Sequence, residues 1–293
     1  MDTQSLQTFL LLSKLKNFSL TAEKLFVAQS TVTNRIASLE KILGRQLFIR
    51  DKKNVELTGE GILFVNYAAR ILELEKNAVQ EMNQLCFYKN SLRIGCTYTI
   101  YECHLYPILF SFLKSSNDTC VKVISGHSDE LLEMLEAGLI DIAFSYLNYI
   151  KSGYKCIPFI SDELVLVTSP KNRSFINGIY ENDLLKINYL MCDLALQETG
   201  RRIRKLFPPY FQFSFEIDNC TKVLKYLTDG FGYSFLPKSM IENLLDNKTL
   251  ISIPLIDFKA PELKSYFIYK SNSRQLGEFF RISGLDKYIE KSM

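Results

Sequence analysis

The chain has 293 residues, of which 47% are hydrophobic and 23% charged, with 35 Lys/Arg against 32 Asp/Glu. That length suits two or three domains with ordinary cores, and the composition is that of a soluble globular protein. No run of about eighteen apolar residues occurs, so no membrane-spanning helix is expected, and the opening MDTQSLQTF lacks the basic start and apolar core of a signal peptide. A cytoplasmic location is therefore expected. Seven cysteines, at 86, 96, 103, 120, 156, 192 and 220, are odd in number and scattered without a CxxC; in a cytosolic chain such cysteines are most often buried thiols.

The amino end, Leu6 to Leu15, reads as a helix with Leu6, Phe9, Leu10 and Leu15 available for packing. Leu20 to Leu43 then reads as a helix-turn-helix. Ser19 is placed to cap the first arm, where Ala22, Leu25 and Phe26 fall at i, i+3 and i+4, and a break follows at Val27-Ala28. The second arm carries Val32, Ile36, Leu39 and Leu43 as a buried stripe that Gly44 ends. Its other face holds Gln29, Ser30, Thr31, Thr33, Asn34 and Arg35, the short donors and acceptors that a recognition helix needs at base edges and phosphates. A solvated helix face is the alternative.

Beyond Gly44, Leu47-Phe48-Ile49, the polar turn Asp51-Lys52-Lys53-Asn54 and Val55-Glu56-Leu57 read as a hairpin. A hairpin after a helix-turn-helix is a wing, and its basic residues Arg50, Lys52 and Lys53 suit phosphate or minor-groove contact. Residues 1–58 hold nine Lys/Arg against five Asp/Glu, a net of +4, which leaves 26 against 27 for the remainder. The positive excess thus sits in the first fifth of the chain, an electrostatic footprint for nucleic acid.

On this stretch the sequence resembles the amino-terminal domain of LysR-type transcriptional regulators. The residues that carry the resemblance include Ala22, Leu25, Gln29, Ser30, Leu39-Glu40, Gly44, Leu47-Phe48, Arg50, Leu57-Thr58 and Gly61. Two positions depart from the family pattern: Ala28 stands where a Ser or Thr cap is common, and Glu23 where a second Ala is common. Loss of the cap is worth roughly 0.5–2 kcal/mol of helix stability.

After the wing, Thr58 can cap a long helix from about Gly61 to Cys86. Ile62, Val65, Ala69, Leu72 and Val79 follow a 3/4 spacing that Lys76 interrupts, which suits a dimerising linker helix. The resemblance implies the same, with homodimers or homotetramers. From Ser91 onward, predicted strands (Ser91–Cys96, Cys120–Ser125, Ile140–Phe144) alternate with helices (through Tyr106-Pro107 to Leu113, and Asp129–Ala137). A second such unit is predicted from the strands Glu163–Thr168, Ile187–Cys192, Phe213–Ile217 and Tyr233–Leu236 and the helices Thr199–Phe207 and Thr221–Thr228. Ser265–Tyr269 is a late strand and Gly277–Lys291 a closing helix. The alternation argues for an α/β fold with a mostly parallel sheet.

The resemblance implies a periplasmic-binding-protein-like effector domain of two α/β lobes. The expected organisation is a winged helix-turn-helix over 1–60, a linker helix over 61–89 and an effector domain over 90–293. Lobe one would take 90–162 and 266–293, lobe two 163–265. Ligands in such sheets bind beyond the carboxyl ends of the strands. That makes Thr97, Tyr98, Thr99, His127, Ser128, Tyr146, Cys192, Asn219 and Thr221 the candidate effector contacts, although Thr97 and Asn219 would be ordinary caps in an empty pocket. A small, anionic effector is expected, since family members commonly hold one there.

An enzyme is not expected. The two histidines, His104 and His127, have no metal-ligand partner at useful spacing, and no GxSxG, P-loop or GxGxxG occurs. Gly230-Phe231-Gly232 lies between a helix and a strand, the reverse of a phosphate-cradling order. No cofactor or metal is expected. A thiol switch at Cys192 and Cys220 is an alternative, weakened by Asp193 beside Cys192, which raises a thiol pKa. A stand-alone solute-binding protein is a third, set aside because of the DNA-reading amino end. The expected partners are double-stranded DNA carrying an imperfect inverted repeat near promoters, a small-molecule effector and a second copy of the chain, with RNA polymerase a further candidate.

Overall fold

A computed structural model describes residues 1–50, 55–84, 88, 90–192, 197–273 and 276–291, apart from the side chains of residues 50, 80, 81, 83 and 84. The chain forms two compact units, Met1–Cys86 and Phe87–Met293.

In the first unit, helix α1 (Thr3–Leu15) is capped by Asp2, whose carboxylate accepts from Ser5 N at 2.8 Å, and it stops at left-handed Lys16. Helix α2 spans Phe18–Lys24, starting two residues earlier than its spacing predicts, because Asn17 is the cap and accepts from Leu20 N at 2.9 Å. Ser19 lies inside the helix, and its hydroxyl donates to Gln29 Oε1 instead. The predicted apolar face of α2 also changes. The helix ends at Lys24 and Phe26 turns left-handed (φ 54°), so it leaves the i+4 track of Ala22 and stands 95% exposed.

Helix α3 (Gln29–Leu43) buries Val32, Ile36 and Leu39 and ends at left-handed Gly44. Ile36 and Leu39 meet Leu6, Phe9 and Leu12 of α1 together with Leu47, Phe48 and Ala68 in one core. Strands β1 (Phe48–Arg50) and β2 (Val55–Leu57) pair antiparallel as the wing. Thr58 ties the wing to helix α4 (Gly59–Gln84): its hydroxyl donates to Gln46 O at 2.7 Å and accepts from Gly61 N at 2.9 Å. Gly61 is required there, since a Cβ would lie 2.2 Å from Leu47 O. The 3/4 stripe of α4 is divided. Val65 and Leu72 pack on the core, whereas Ile62 and Val79 are 63% and 53% exposed.

The second unit holds a five-stranded sheet of order β4-β3-β5-β12-β6. Strands β3 (Asn90–Cys96), β4 (Thr119–Ser125) and β5 (Ile142–Ser145) run parallel. Arg93 and Asp141 lock the start of β3 against the approach to β5. Asp141 N donates to Arg93 O at 2.8 Å, and the carboxylate accepts from Arg93 N at 2.8 Å and from the guanidinium at 2.8 and 3.2 Å. The other two strands, β6 (Tyr154–Asp162) and β12 (Leu263–Lys270), are antiparallel to each other, and β12 is antiparallel to β5. They carry the chain out to a second sheet and back.

That second sheet pairs β7 (Leu164–Thr168) antiparallel with β10 (Tyr233–Pro237) and β11 (Ile251–Ser252). A bridge from Tyr189 to Tyr233 extends it to the parallel pair β8 (Leu190–Met191) and β9 (Phe215–Glu216). The unit is therefore mixed rather than mostly parallel, because each out-and-back crossing inserts an antiparallel strand.

Helices α5 (Tyr98–Ile100) and α6 (Tyr106–Ser115) flank a π-helical turn at Tyr101–Leu105. They are followed in chain order by α7 (Ser128–Glu136), α8 (Glu198–Arg204), α9 (Cys220–Asp229) and α10 (Lys238–Asp246). The closing helix is two, α11 (Leu276–Ser283) and α12 (Asp286–Glu290), separated by left-handed Gly284. Phe267 of β12 sits at the centre of an aromatic cluster with Phe144, Phe159, Tyr269, Phe280 and Tyr288. Phe267→Ala is expected to cost about 3–5 kcal/mol, read as a lower urea midpoint at unchanged slope.

Candidate functional sites: a nucleic-acid interface and an interlobe cleft

Burial of Val32, Ile36 and Leu39 orients α3, so the opposite positions must face outward. Gln29, Ser30 and Asn34 are exposed, and Thr31 and Thr33 are half-buried. Ala28 occupies the cap with extended backbone (φ −69°, ψ 150°) and no side-chain hydrogen bond. The first two turns of α3 therefore offer backbone N–H groups, the Ser30 and Thr31 hydroxyls and the Gln29 and Asn34 amides to whatever lies in front of them, which is the donor set that phosphates and base edges accept. Thr33 Oγ1 is engaged by Gln29 O at 3.1 Å. Arg35 is turned aside: its guanidinium donates to Thr8 Oγ1 at 3.2 Å and to Gln4 Oε1, both on α1. It lies next to buried Ile36, on the flank of α3 that faces α1. Arg50 closes β1, and Lys52 and Lys53 fall outside the described residues.

The second site lies beyond the carboxyl ends of β3, β4 and β5. Thr97 N donates to Phe144 O and Gly126 N to Cys96 O, both at 3.2 Å, which holds the three strand ends together. A small cavity of about 10 Å³ is lined by Thr97, Tyr98, Thr99, Gly126 and His127 on one side and by Gln197, Asp218 and Asn219 on the other. That is room for about one water, so the cleft is closed.

Five of the nine residues singled out from the sequence meet here: Thr97, Tyr98, Thr99, His127 and Asn219. The other four lie behind the wall. Ser128 is fully buried and accepts from Tyr146 N at 3.1 Å, joining α7 to the end of β5. Tyr146 is buried, burial pushes its phenol well above the ordinary range, and it hydrogen-bonds Thr99. Thr221 donates through its N–H and hydroxyl to Asn219 Oδ1, at 2.9 and 2.7 Å. Cys192 and Cys220 are buried with their sulfurs 3.2 Å apart.

The caps expected in an empty pocket are also present: Thr97 Oγ1 accepts from Ile100 N at 3.4 Å, and Asn219 caps α9. Gln197 and Asp218 were not anticipated. Gln197 has φ 50° and ψ −121°, a backbone that nothing in its local sequence announces. Asp218 adjoins Asn219, and the strand-end rule alone points to it.

Among the described residues no helix is long and apolar enough to cross a membrane. The family profile described as the bacterial regulatory helix-turn-helix protein, lysR family, matches residues 3–62, and the LysR substrate binding domain matches residues 88–280. The HTH-type transcriptional regulator CitR of Bacillus subtilis (strain 168) is 30% identical over 274 residues, which is 92% of this chain and 93% of CitR. The crystal structure of CbnR, a LysR family transcriptional regulator, is similar with a TM-score of 0.74 at 20% identity, over 97% of this chain and 99% of that one. A structure of full-length CbnR complexed with its target DNA is similar with a TM-score of 0.69 at 20% identity and the same coverage.

Ala28→Ser should raise stability by about 0.5–2 kcal/mol, because the backbone already has cap geometry and only the acceptor is missing. A higher thermal midpoint with unchanged circular dichroism checks it.

Proposed function

Because the chain belongs to the LysR family of transcriptional regulators, we propose that it reads an imperfect inverted repeat through paired α3 helices and answers to a small molecule held in the cleft. The observation that carries this reading is the outward polar first turn of α3, set by the buried stripe opposite it. Ser30, Thr31 and Asn34 meet base edges, with Gln29 and Thr33 beside them, while Arg50, Lys52 and Lys53 of the wing lie along phosphates. Arg35 acts as a positioning residue that holds α1 against α3.

The exposed Ile62, Leu63, Val79 and Met82 of α4 pack against a second copy of the chain, giving a homodimer or homotetramer whose half-sites lie about one helical turn apart. CbnR has been seen on its target DNA, and the same role is proposed here in the cytoplasm, with RNA polymerase a downstream partner.

In the cleft, Thr97, Thr99 and His127 line one wall and Asp218 and Asn219 the other, with the Asp218 carboxylate paired to Lys222 Nζ at 3.3 Å. The ligand that suits this lining is a small molecule with an anionic end toward the threonine wall. Its binding must favour one lobe arrangement over another to regulate anything.

The test is binding to the duplex upstream of this protein's own gene, in a salt series, against a scrambled duplex of equal length. Selective binding with a steep negative salt slope is expected. Asn34→Ala should relax selectivity, at about 1–3 kcal/mol per lost base contact, while Lys52→Ala should weaken all sequences alike and reduce the slope by roughly one. Equal affinity for both duplexes at every salt concentration would overturn the reading.

The 3.2 Å approach of Cys192 and Cys220 favours a second reading, a thiol switch. In it the two thiols give up two protons and two electrons to form a disulfide, and a hydroperoxide takes them and leaves as water and alcohol. Cys220 adjoins Asn219 of the cleft wall, so the bond would tether that wall. Peroxide should then remove two alkylatable thiols reversibly in the parent chain and none in the Cys192→Ser/Cys220→Ser variant. An unchanged thiol count in the parent removes this reading and leaves the first intact.

A further inference from the structure

Spacing along the chain leaves His104 without a metal-ligand partner; the fold supplies two. The π-helical turn at Tyr101–Leu105 presents the neighbouring side chains Cys103 and His104 to the end of β6, where Asp162 is the last residue before the chain crosses to the second sheet. His104 Nε2 lies 3.2 Å from Asp162 Oδ2, and the Cys103 sulfur, the His104 nitrogen and an Asp162 oxygen all lie within 4.8 Å of one another. We propose that Cys103, His104 and Asp162 form a binding site for a thiophilic divalent cation, Zn²⁺ first among them, at the crossing between the two lobes.

Geometry and donor chemistry both point that way. A tetrahedral zinc with nitrogen and oxygen bonds of about 2.0–2.2 Å sets those two ligand atoms about 3.3–3.5 Å apart, close to the spacing already present. For the sulfur the matching separation from the nitrogen is about 3.6 Å, inside the 4.8 Å that bounds the three atoms. A thiol, an imidazole and a carboxylate together suit a borderline metal, whereas Mg²⁺ and Ca²⁺ require oxygen throughout.

The surroundings hold the donors in place. Ser239 of α10 donates to Asp162 Oδ2 and also hydrogen-bonds Cys103, the kind of outer contact that orients metal-binding carboxylates. The His104 ring stands edge-on to Phe159, with centroids 6.2 Å apart. The His104 and Asp162 side chains are 14% and 10% exposed, shielded yet within reach of an ion. π-helical turns recur at functional sites, and this one breaks the run from α5 to α6 where the donors stand. Three protein ligands leave a fourth position for water. An ion there would join the first-lobe helix to the crossing strand, and through Ser239 to the second lobe, so it would favour the closed arrangement. The competing account is a His104–Asp162 ion pair beside an unrelated thiol, which predicts no metal dependence at all.

Chelator-treated full-length protein is to be titrated with Zn²⁺ by calorimetry and with Co²⁺ by absorbance at neutral pH. One saturable equivalent is expected, with a thiolate-to-cobalt charge-transfer band and a Zn²⁺-dependent rise in melting temperature. Cys103→Ser, which exchanges one atom, should abolish the band and weaken Zn²⁺ at least tenfold while leaving the metal-free melting temperature unchanged. His104→Asn and Asp162→Asn should each weaken Zn²⁺ at least tenfold, and Cys120→Ser should change nothing. Absence of saturable binding at 100 µM-order Zn²⁺, or binding of parent strength in the Cys103→Ser and His104→Asn variants, would overturn the proposal.

Discussion

The antiparallel pair of β6 with β12 is the constraint on which the effector unit depends. Leu263 to Lys270 runs beside Tyr154 to Asp162, so the chain leaves the first sheet and re-enters it along adjacent tracks. Both sheets are thereby anchored to one two-stranded neck. Phe267 lies on that neck, and the rings around it come from β5, β6, β12, α11 and α12. The packing of the first lobe and the hinge between lobes thus rest on the same side chains. Buried residues of both sheets join in one continuous core around this neck, and a neck of two adjacent strands is a place where lobes can hinge without unfolding.

The cleft that this neck creates is polar for reasons that precede any ligand. At the ends of parallel strands the chain turns into helices whose first N–H groups lack partners. Thr97 and Asn219 satisfy some of those donors, and in doing so they place hydroxyl and amide groups at the cavity wall. The caps of two helices are therefore also part of the cavity wall. Ser128 and Tyr146 take a further step back: buried and bonded to each other across α7 and β5, they hold the wall's shape rather than line it.

In the first unit a similar economy operates on α3. Three buried residues, Val32, Ile36 and Leu39, fix the rotation of the helix, and rotation decides which side chains meet a groove. Arg35 illustrates how narrow that margin is. One position before Ile36, it is far enough round the helix to bond Gln4 and Thr8 of α1, and so it braces the helix pair. The missing cap at Ala28 leaves backbone N–H groups at the same end as Ser30 and Asn34.

How much was legible in advance follows from the range of the interactions involved. The helix-turn-helix, the wing strands, the Thr58 cap, Gly44 and most strands of the effector unit are set by local pattern, period and capping chemistry, and these can be read from neighbouring residues. The local misses have local causes. Asn17 outcompeted Ser19 as a cap, Phe26 left the helical track when its backbone turned left-handed, and Gly284 split the last helix. Strand β6 was not anticipated at all. It carries Pro158 and is tolerated because it lies at the edge of its sheet. Whether a strand lies at an edge is a property of the assembled sheet and not of the strand's own residues. The same holds for Gln197 and Asp218 in the cleft, for the 3.2 Å approach of Cys192 to Cys220, and for Asp162 beside His104 across 58 residues. Local pattern was enough for the family, for most of the elements and for which face of α3 is polar. Which distant side chains meet depends on crossings and sheet order that no local pattern encodes, so those contacts emerge only from the folded chain.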